Sequence, residues 1–268
     1  MKNLRQKLGH LNWLNSIGVE YYCSTQKDSK NSLIYALNKN ENNVVPAIKS
    51  TIIKNTEMTI PKKALSGMNS AEVQARQLAD KATTLAELKE YVENFEGCEL
   101  KQFANNTVFA DGNPNAKILL IGEAPGSTED EQGIPFCGES GKLLDNMLST
   151  IGITRTQNAY ITNTVFWRPP TNRRPTNDEI NICKPFVEKH IALIKPKIII
   201  LVGNTAAISL LGKNEGITRI RTNNYSYTNQ YLSEPIVTTA LFHPAYLLRQ
   251  PMQKKATWFD LLKIKKLL

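Results

Sequence analysis

Residue types that could carry chemistry are concentrated in three loops, each of which directly follows a short apolar run. The first loop, "GEAPGSTEDEQGIPFCG" at residues 122–138, holds several carboxylates and an aromatic residue. The second, "NTVFWRPPTNRRP" at 163–175, holds an amide and three arginines, and the third, "HPAYLLRQP" at 243–251, holds a histidine. A phosphate-binding loop would normally carry a lysine or an arginine, and none lies between residues 118 and 141. The first loop is therefore not an ordinary phosphate-binding loop.

Four short apolar runs predict the strands that position these loops. They are "KILLIG" (117–122), "AYITNTV" (159–165), "KIIILVG" (197–203) and "VTTALF" (237–242). Three of them are nearly continuously apolar, as in strands that are covered on both faces. Helical segments lie between them, and strands that alternate with helices predict a parallel sheet with helices on both sides. Ligands of such sheets bind beyond the carboxyl ends of the strands, so we expect the three loops to form one site.

Several polar residues mark the expected starts of helices. Thr176 is followed three residues later by Glu179, which is the pattern of a capping box. Asn69 or Ser70, and then Thr84, are placed to cap two earlier helices in a region where apolar residues recur at helical spacing.

The chain divides by composition into three parts. Residues 1–65 are polar and irregular, which predicts an N-terminal extension that is partly disordered with one short helical stretch. Residues 66–95 read as a helical lead-in, and residues 96–268 contain the strand and helix signals of an α/β domain.

Composition limits the classes of partner and compartment. The formal net charge is +9, which favours a polyanionic partner such as nucleic acid, although part of this charge lies in the lysine-rich ends and could be solvated surface. No apolar run is long enough to span a bilayer, and the start lacks the pattern of a secretory signal. The four cysteines are widely spaced, so a disulfide framework is not expected. We expect a cytoplasmic protein without a membrane partner.

Three segments of the sequence match a known family. They are "GEAPGSTEDEQGIPFCGESGKLL", "YITNTVFWRPP" and "FHPAYLLR", and each follows its predicted strand. On these segments, the chain from about residue 95 to the end resembles the uracil-DNA glycosylase superfamily, most closely its family 4 branch. The resemblance implies a three-layer α/β/α catalytic domain with a central four-stranded parallel sheet. It also implies a monomeric, bacterial-type, nucleoid-associated repair enzyme that cuts the N-glycosidic bond of deoxyuridine in DNA and leaves an abasic site.

The resemblance implies a uracil pocket formed by Gly122, Phe136 and Asn163. A base inside a duplex cannot be reached, so its nucleotide must be extruded into such a pocket. Phe136 would provide a flat apolar wall for stacking, and the amide of Asn163 can pair with both N3–H and O4 of uracil. Cytosine presents the inverse pattern and would be rejected by roughly 10⁴-fold. The competing interpretations are a core role for Phe136 and a turn-forming role for Asn163.

The resemblance assigns the catalytic roles to His243 and Glu123. His243 would hydrogen-bond uracil O2 as negative charge develops on the leaving base. Glu123 would position the attacking water or balance the cationic sugar, although the best-studied glycosylases have an aspartate one residue later, where this chain has Ala124. Glu129 and Asp130 remain rival carboxylates, with helix N-capping as their alternative role.

The third loop and its neighbours are expected to hold the DNA. Leu247 or Leu248 could enter the space that the extruded base leaves, and Arg249 could contact a phosphate. Arg168 is a further phosphate candidate, together with the two later arginines of the second loop. Each arginine could alternatively be an ordinary solvated surface residue.

The sequence departs from family 4 at the iron–sulfur cluster that this branch usually binds through four cysteines. Cys98 and Cys183 match the second and fourth ligand positions, whereas Phe95 and Trp167 stand at the other two. Two thiolates cannot hold a cluster that needs four, so we expect no cofactor and no metal. The two cysteines would be vestigial, and the two aromatic residues could fill the vacated volume.

Two other functions are compatible with parts of the sequence. A non-catalytic protein that binds damaged or single-stranded DNA could use the same fold, although it would not need the leaving-group histidine. The segment "VGNTAAISLLG" suggests a nucleotide-binding α/β protein as the second alternative. This segment lacks the lysine of a P-loop and the third glycine of a dinucleotide fingerprint.

Overall fold

The computed structural model describes residues 69–268. The predicted extension at residues 1–65 lies outside the described residues. In chain order the elements are α1 (Ser70–Lys81), α2 (Leu85–Asn94), α3 (Leu100–Phe103), β1 (Asp111–Gly112), β2 (Ile118–Gly122), α4 (Ser127–Gln132), α5 (Glu139–Ser149), β3 (Ala159–Asn163), α6 (Asn177–Ile194), β4 (Ile198–Val202), α7 (Asn204–Leu211), α8 (Ile217–Ile220), β5 (Tyr225–Tyr227), β6 (Ile236–Leu241), α9 (Pro244–Arg249) and α10 (Lys254–Lys265). Short 3₁₀ turns lie at Pro170–Asn172 and Pro251–Gln253.

The strands form one sheet in the order β1-β3-β2-β4-β6-β5. The four central strands are parallel, which confirms the predicted four-stranded parallel sheet. The short edge strands β1 and β5 pair antiparallel to their neighbours and extend the sheet beyond the prediction. The register pairs Gly122 at the end of β2 with Asn163 at the end of β3. The chain therefore leaves both strands side by side at one edge of the sheet.

Helices cover both faces of this sheet, as expected for central strands whose residues are nearly all buried. On one face, Leu119 and Ile121 belong to a core that also contains Leu88 of α2 and Phe186 of α6. The intervening residues of β2, such as Leu120, point to the other face and are equally buried. On the sheet's flanks, α10 contacts β6, and α9 contacts α5. The result is the three-layer α/β/α arrangement.

The predicted N-cap residues are found at the starts of their helices. Asn69 caps α1 by accepting a hydrogen bond from the backbone of Glu72, and Ser70 is the first helical residue. Thr84 and Thr176 each form a capping box with the glutamate three residues later. Because a cap satisfies backbone N–H groups that have no partner inside the helix, it fixes where the helix begins.

Helices α1 and α2 pack against α6. The buried side chains that they contribute, including Ala75 and Val92, belong to the same core as β2 and β4. Within residues 69–268, no helix combines the length and the apolar character that crossing a membrane requires.

Candidate active site

A cavity of about 750 Å³ opens at the carboxyl edge of the parallel strands. Residues from the loops after β2, β3, β4 and β6 line it, as expected for a sheet of this type. The structure brings together five residues that were predicted from separate loops: Glu123, Phe136, Asn163, His243 and Arg249.

Phe136 forms one wall of the cavity from a constrained backbone. Its φ is +51°, in the left-handed region that residues other than glycine rarely occupy. Such a conformation costs of order 1–3 kcal/mol and persists only where the surroundings enforce it. The surroundings are tight, because a Cβ added to Gly141 of α5 would lie 1.7 Å from the Phe136 carbonyl oxygen. The absence of a side chain at Gly141 is thus a condition for this position of Phe136.

Asn163 is buried beside Phe136 at the end of β3, with 1% of its surface exposed. Its side-chain oxygen, Oδ1, has no hydrogen-bond partner among the described residues. A Cβ at Gly122 would lie 2.5 Å from this oxygen and 2.4 Å from the Phe136 ring. Gly122 is not part of the cavity lining, but it allows the amide and the ring to approach each other. The site therefore holds an unpaired acceptor next to a flat aromatic surface.

His243 begins α9, and its ring lies close to that of Phe136. The two ring centroids are 5.7 Å apart, with an angle of 32° between the planes. The backbone N–H of Ala245 donates to Nδ1 of His243 at 3.2 Å. Because Nδ1 accepts this bond, the proton of a neutral imidazole resides on Nε2. Burial lowers the pKa of His243 from its ordinary value, with a smaller opposing effect from Glu123. The favoured form is a neutral ring with Nε2–H as the free donor.

Glu123 enters the cavity directly after β2 and is held in place by two threonines. The hydroxyl of Thr205, in the first turn of α7, donates a short hydrogen bond to its carboxylate oxygen Oε2. The hydroxyl of Thr164 donates to its backbone carbonyl. Thr205 was not recognised as a site residue from the sequence, because it follows a strand whose loop carries no other reactive side chain. Its position just after β4, at the same edge of the sheet as the three loops, could have identified it.

The two rival carboxylates both have structural partners. Glu129 accepts hydrogen bonds from the backbone N–H groups of Gly126 and Gly138 at 3.2 and 2.9 Å, and it bridges the two ends of the first loop. Asp130 is fully buried and accepts from the backbone and side chain of Asn105, each at 2.8 Å. Glu123 and Glu129 both line the cavity. Within the described residues, the carboxylate of Glu129 is bonded to backbone N–H groups whereas that of Glu123 is bonded to the Thr205 hydroxyl, which favours Glu123 for the chemistry.

The two leucines of α9 differ in exposure. Leu247 is fully buried, so its sequence-based assignment to the DNA surface is corrected: the side chain belongs to the protein core. Leu248 is 38% exposed and remains available at the protein surface. The reason is the orientation of the short helix α9, which turns consecutive side chains in different directions.

The arginines near the cavity differ in how firmly they are held. Arg249 and Arg174 are exposed and line the cavity. Arg173 also lines it, but its guanidinium donates to both carboxylate oxygens of Glu179. Arg168 lies outside the lining and donates from Nε to the side chain of Asn172 at 2.7 Å.

The positions matched to cluster ligands lie in the protein core, outside the cavity lining. Cys98 and Cys183 are buried and hydrogen-bonded to each other, which lowers the pKa of Cys98, while burial raises that of Cys183. Phe95 packs edge-on against Phe186 with ring centroids 5.2 Å apart. Trp167 is equally buried and donates from its indole nitrogen to the hydroxyl of Thr107 at 2.9 Å.

Comparisons with known proteins agree with this geometry. A model of the uracil DNA glycosylase superfamily matches residues 109–263, which include the whole predicted site. The type-4 uracil-DNA glycosylase of Sulfurisphaera tokodaii is 40% identical over 189 residues, covering 69% of this chain and 84% of that protein. That of Saccharolobus solfataricus is 38% identical over 182 residues, covering 66% and 83%. That of Pyrobaculum aerophilum is 34% identical over 171 residues, covering 62% and 86%.

Proposed function

The chain belongs to the uracil-DNA glycosylase superfamily, and from this membership we propose that it hydrolyses the N-glycosidic bond of deoxyuridine in DNA. The products are free uracil and an abasic site, so the reaction opens base excision repair. The observation that carries the proposal is the meeting of three groups in one cavity: the ring of Phe136, the unpaired amide oxygen of Asn163 and the imidazole of His243.

The proposed first task of the cavity is to recognise an extruded base. Uracil stacks on Phe136, and Asn163 Oδ1 accepts the hydrogen bond from N3–H while the amide nitrogen donates to O4. This contact would give Oδ1 a partner that none of the described residues provides. Cytosine carries no proton on N3 and an amino group in place of O4, so it would leave both amide groups without suitable partners.

The second task is to stabilise the departing base. Breaking the glycosidic bond leaves the electron pair on uracil, whose O2 becomes more negative as the bond lengthens. The Nε2–H of neutral His243 donates a hydrogen bond to this oxygen, and the ring is held in orientation by the backbone N–H of Ala245. Groups that are in place before the charge forms lower the barrier without reorganisation.

The third task is to complete the hydrolysis at the sugar. Cleavage leaves an oxocarbenium-like sugar that must be captured by water. Glu123 is the carboxylate proposed to orient that water and to balance the positive charge, with Thr205 fixing one of its oxygens. The competing carboxylates Glu129 and Asp130 are engaged by backbone groups of the protein itself.

The DNA backbone is proposed to bind around the mouth of the cavity. Arg249 and Arg174 are the leading phosphate contacts, because both are exposed there, whereas Arg173 and Arg168 are engaged with other side chains. Leu248 is the candidate that fills the space of the extruded base. The protein is proposed to act on DNA as a monomer.

We propose that the protein works without an iron–sulfur cluster. Phe95 and Trp167 pack their rings in the core where two more thiolates would be needed, which leaves Cys98 and Cys183 as a pair. Protein purified without oxygen is expected to lack bound iron, sulfide and a brown chromophore, and to release uracil in the presence of an iron chelator. The Phe95→Cys, Trp167→Cys double variant, which restores four cysteines, is the matched control. Iron in stoichiometric amount in the native chain would contradict the proposal.

A labelled oligonucleotide with a single uracil tests the proposed reaction. We expect the native protein to release the base, so that alkali breaks the strand at the resulting abasic site. The same oligonucleotide with thymine at that position is the control. Binding of the uracil oligonucleotide without release of base would favour a non-catalytic DNA-binding protein instead.

A further inference from the structure

Arg155 joins four groups behind the wall of the cavity. Its Nη1 donates to the carbonyl oxygen of Pro135 at 2.6 Å, and its Nη2 donates a short hydrogen bond to the carbonyl oxygen of Phe136. Its Nε donates to Asp145 at 2.8 Å, and its Nη1 also contacts Asp111 at 3.1 Å. One side chain thus links the loop after β2 to helix α5 and to edge strand β1.

The contact with Phe136 explains how an unfavourable backbone conformation is maintained. Phe136 has a positive φ, and its carbonyl oxygen lies so close to Gly141 that a Cβ added there would be 1.7 Å from it. Within residues 69–268, the donor to this carbonyl is Arg155. Without that donor, the oxygen of a residue that is only 6% exposed would lose its hydrogen bond. The conformation of the wall therefore depends on Arg155.

The chemistry of arginine suits this position. A planar guanidinium presents several N–H donors in a fixed fork, so it can bind two carbonyl oxygens and two carboxylates at once. A lysine ammonium is a single point of charge and cannot reach all four groups. The side chain of Arg155 is only 13% exposed, and two carboxylates balance its charge. The arginine is therefore largely buried, whereas its partners Asp111 and Asp145 reach the solvent with 39% and 46% of their side chains exposed.

Arg155 is not part of the cavity lining, so any effect on uracil passes through Phe136. We infer that Arg155 is a positioning residue, which holds the Phe136 ring in the orientation that stacks on the extruded base. This inference rests on the proposed function, since it assigns Phe136 as the surface on which uracil stacks. A purely structural role would instead be to fasten α5 to β1, with no selective effect on the base.

Two uncleavable DNA ligands separate these roles. One is a duplex with 2′-fluoro-2′-deoxyuridine, which keeps the uracil, and the other has a tetrahydrofuran abasic site, which offers no base to stack. Arg155→Lys is expected to weaken binding of the first by roughly 5- to 150-fold, the range for losing one base–aromatic stack, and to leave binding of the second unchanged. Equal weakening of both ligands would overturn the inference.

A double-mutant cycle gives the second criterion. In a Phe136→Ala background, Arg155→Lys should cause no further loss of affinity for the uracil analogue, because the ring through which it acts is gone. Additive losses would overturn the inference. The milder variant Asp145→Asn removes one anchor but keeps the arginine, and it is expected to show a smaller effect with the same selectivity for the uracil ligand. Asp145→Asn is the test variant to use if Arg155→Lys does not fold.

Arg76→Lys is the matched control. Arg76 is also partly buried and ion-paired, to Glu188 at 2.6 Å, but it joins α1 to α6 and does not line the cavity. Its substitution should leave binding of both DNA ligands unchanged. A selective loss of affinity for the uracil ligand in Arg76→Lys would overturn the inference, because the effect would then not be particular to the support of Phe136.

Hydrogen exchange separates failure of this inference from failure of the proposed function. The backbone amides of Ile134 and of residues 136–138 are expected to exchange faster in Arg155→Lys than in the native chain, while those of β2 do not change. This measurement needs neither DNA nor activity. If the native chain released no uracil, the proposed function would fail, and unchanged exchange in the loop would separately overturn the positioning role.

Discussion

The amide oxygen Oδ1 of Asn163 is buried and has no hydrogen-bond partner among the described residues. A buried acceptor without a partner costs about 1–3 kcal/mol relative to one that is hydrogen-bonded. A ligand that supplies an N–H at this point removes that cost on binding. In the proposed function, uracil supplies this N–H from N3, so its recognition at Asn163 would use an acceptor that no described residue engages.

Asn163→Ala is expected to lower kcat/KM for uracil DNA by about 10²-fold, because two hydrogen bonds to the base are lost together. Inhibition by free uracil should weaken in parallel. Binding of abasic-site DNA provides the internal control and should not change, since no base is present. The assignment of Asn163 to base recognition would be wrong if free uracil inhibited the variant as strongly as it inhibits the native chain.

His243→Ala is expected to lower kcat by about 10²–10³-fold with little change in KM, since the donor acts mainly on charge that forms during cleavage. Single-turnover release of uracil measures this step. The matched control is His190→Gln, which alters another buried histidine that lies outside the cavity lining and should leave uracil release near the native rate at pH 7.5. A similar loss of rate in both variants would count against the role of His243.

At the residue scale, the sequence predicts a side chain well when its place depends on the end of a strand. Phe136, Asn163 and His243 follow apolar runs whose carboxyl ends meet at one edge of the sheet. Choosing between Leu247 and Leu248 requires the orientation of a six-residue helix, which local sequence does not determine. The supporting role of Arg155 depends on contacts with residues 19 and 20 positions away and has no local pattern.

At the element scale, helix α5 controls the cavity through the one turn that contacts Phe136. Gly141→Ala would place a methyl group 1.7 Å from the Phe136 carbonyl oxygen, so the loop must move. We expect Gly141→Ala to release uracil more slowly than the native chain even at temperatures where both proteins remain folded. Steady-state kinetics and thermal unfolding of the same preparation test this.

Ser149→Ala is the control in the same helix, because that hydroxyl bonds only within the last turn, to the carbonyl of Asn146. It should retain native kinetics. Native kinetics in Gly141→Ala as well would show that the position of the Phe136 loop is unimportant for the reaction.

The elements that the sequence predicts best are those with long or repeated signals. The four central strands have five or six residues each, and β2 and β4 contain no polar residue. Helix α6 has both a capping box and eighteen residues. The edge strand β1 has two residues, and β5 has three, too few for a pattern to emerge. Helix α4 has the polar sequence "STEDEQ", so no apolar spacing marks it.

For the molecule as a whole, His190 links stability to pH. Its ring is fully buried, stacks on Phe109 at 4.4 Å and lies 3.0 Å from the Tyr160 hydroxyl. Burial lowers the pKa of His190 to about 3, below its ordinary value of about 6.5. Between these pH values the unfolded chain binds a proton that the folded chain does not. Its contribution to stability is therefore complete above pH about 6.5 and is lost progressively below that value.

His190→Gln should abolish this dependence. Below pH about 6.5, the free energy of unfolding of the native chain is expected to fall relative to the variant by at most about 1.4 kcal/mol per pH unit. Urea unfolding of both proteins from pH 7.5 to 5 measures the difference. The test compares the free energies of unfolding of the two proteins because Asp260 also titrates in this range. Burial raises the pKa of Asp260 to about 6, so this residue changes stability in the opposite direction, but equally in both proteins. A constant difference across this range would contradict the assignment.

The sheet order makes the proposed site depend on the last of the described strands. That strand, β6, lies between β4 and β5 and is followed closely by His243, the proposed donor to the leaving base. A chain that ends after β4 includes Phe136 and Asn163, the proposed stacking surface and amide, but not His243. If His243 has its proposed role, a fragment that ends before β6 would lack the donor for the leaving base and would not release uracil at the native rate.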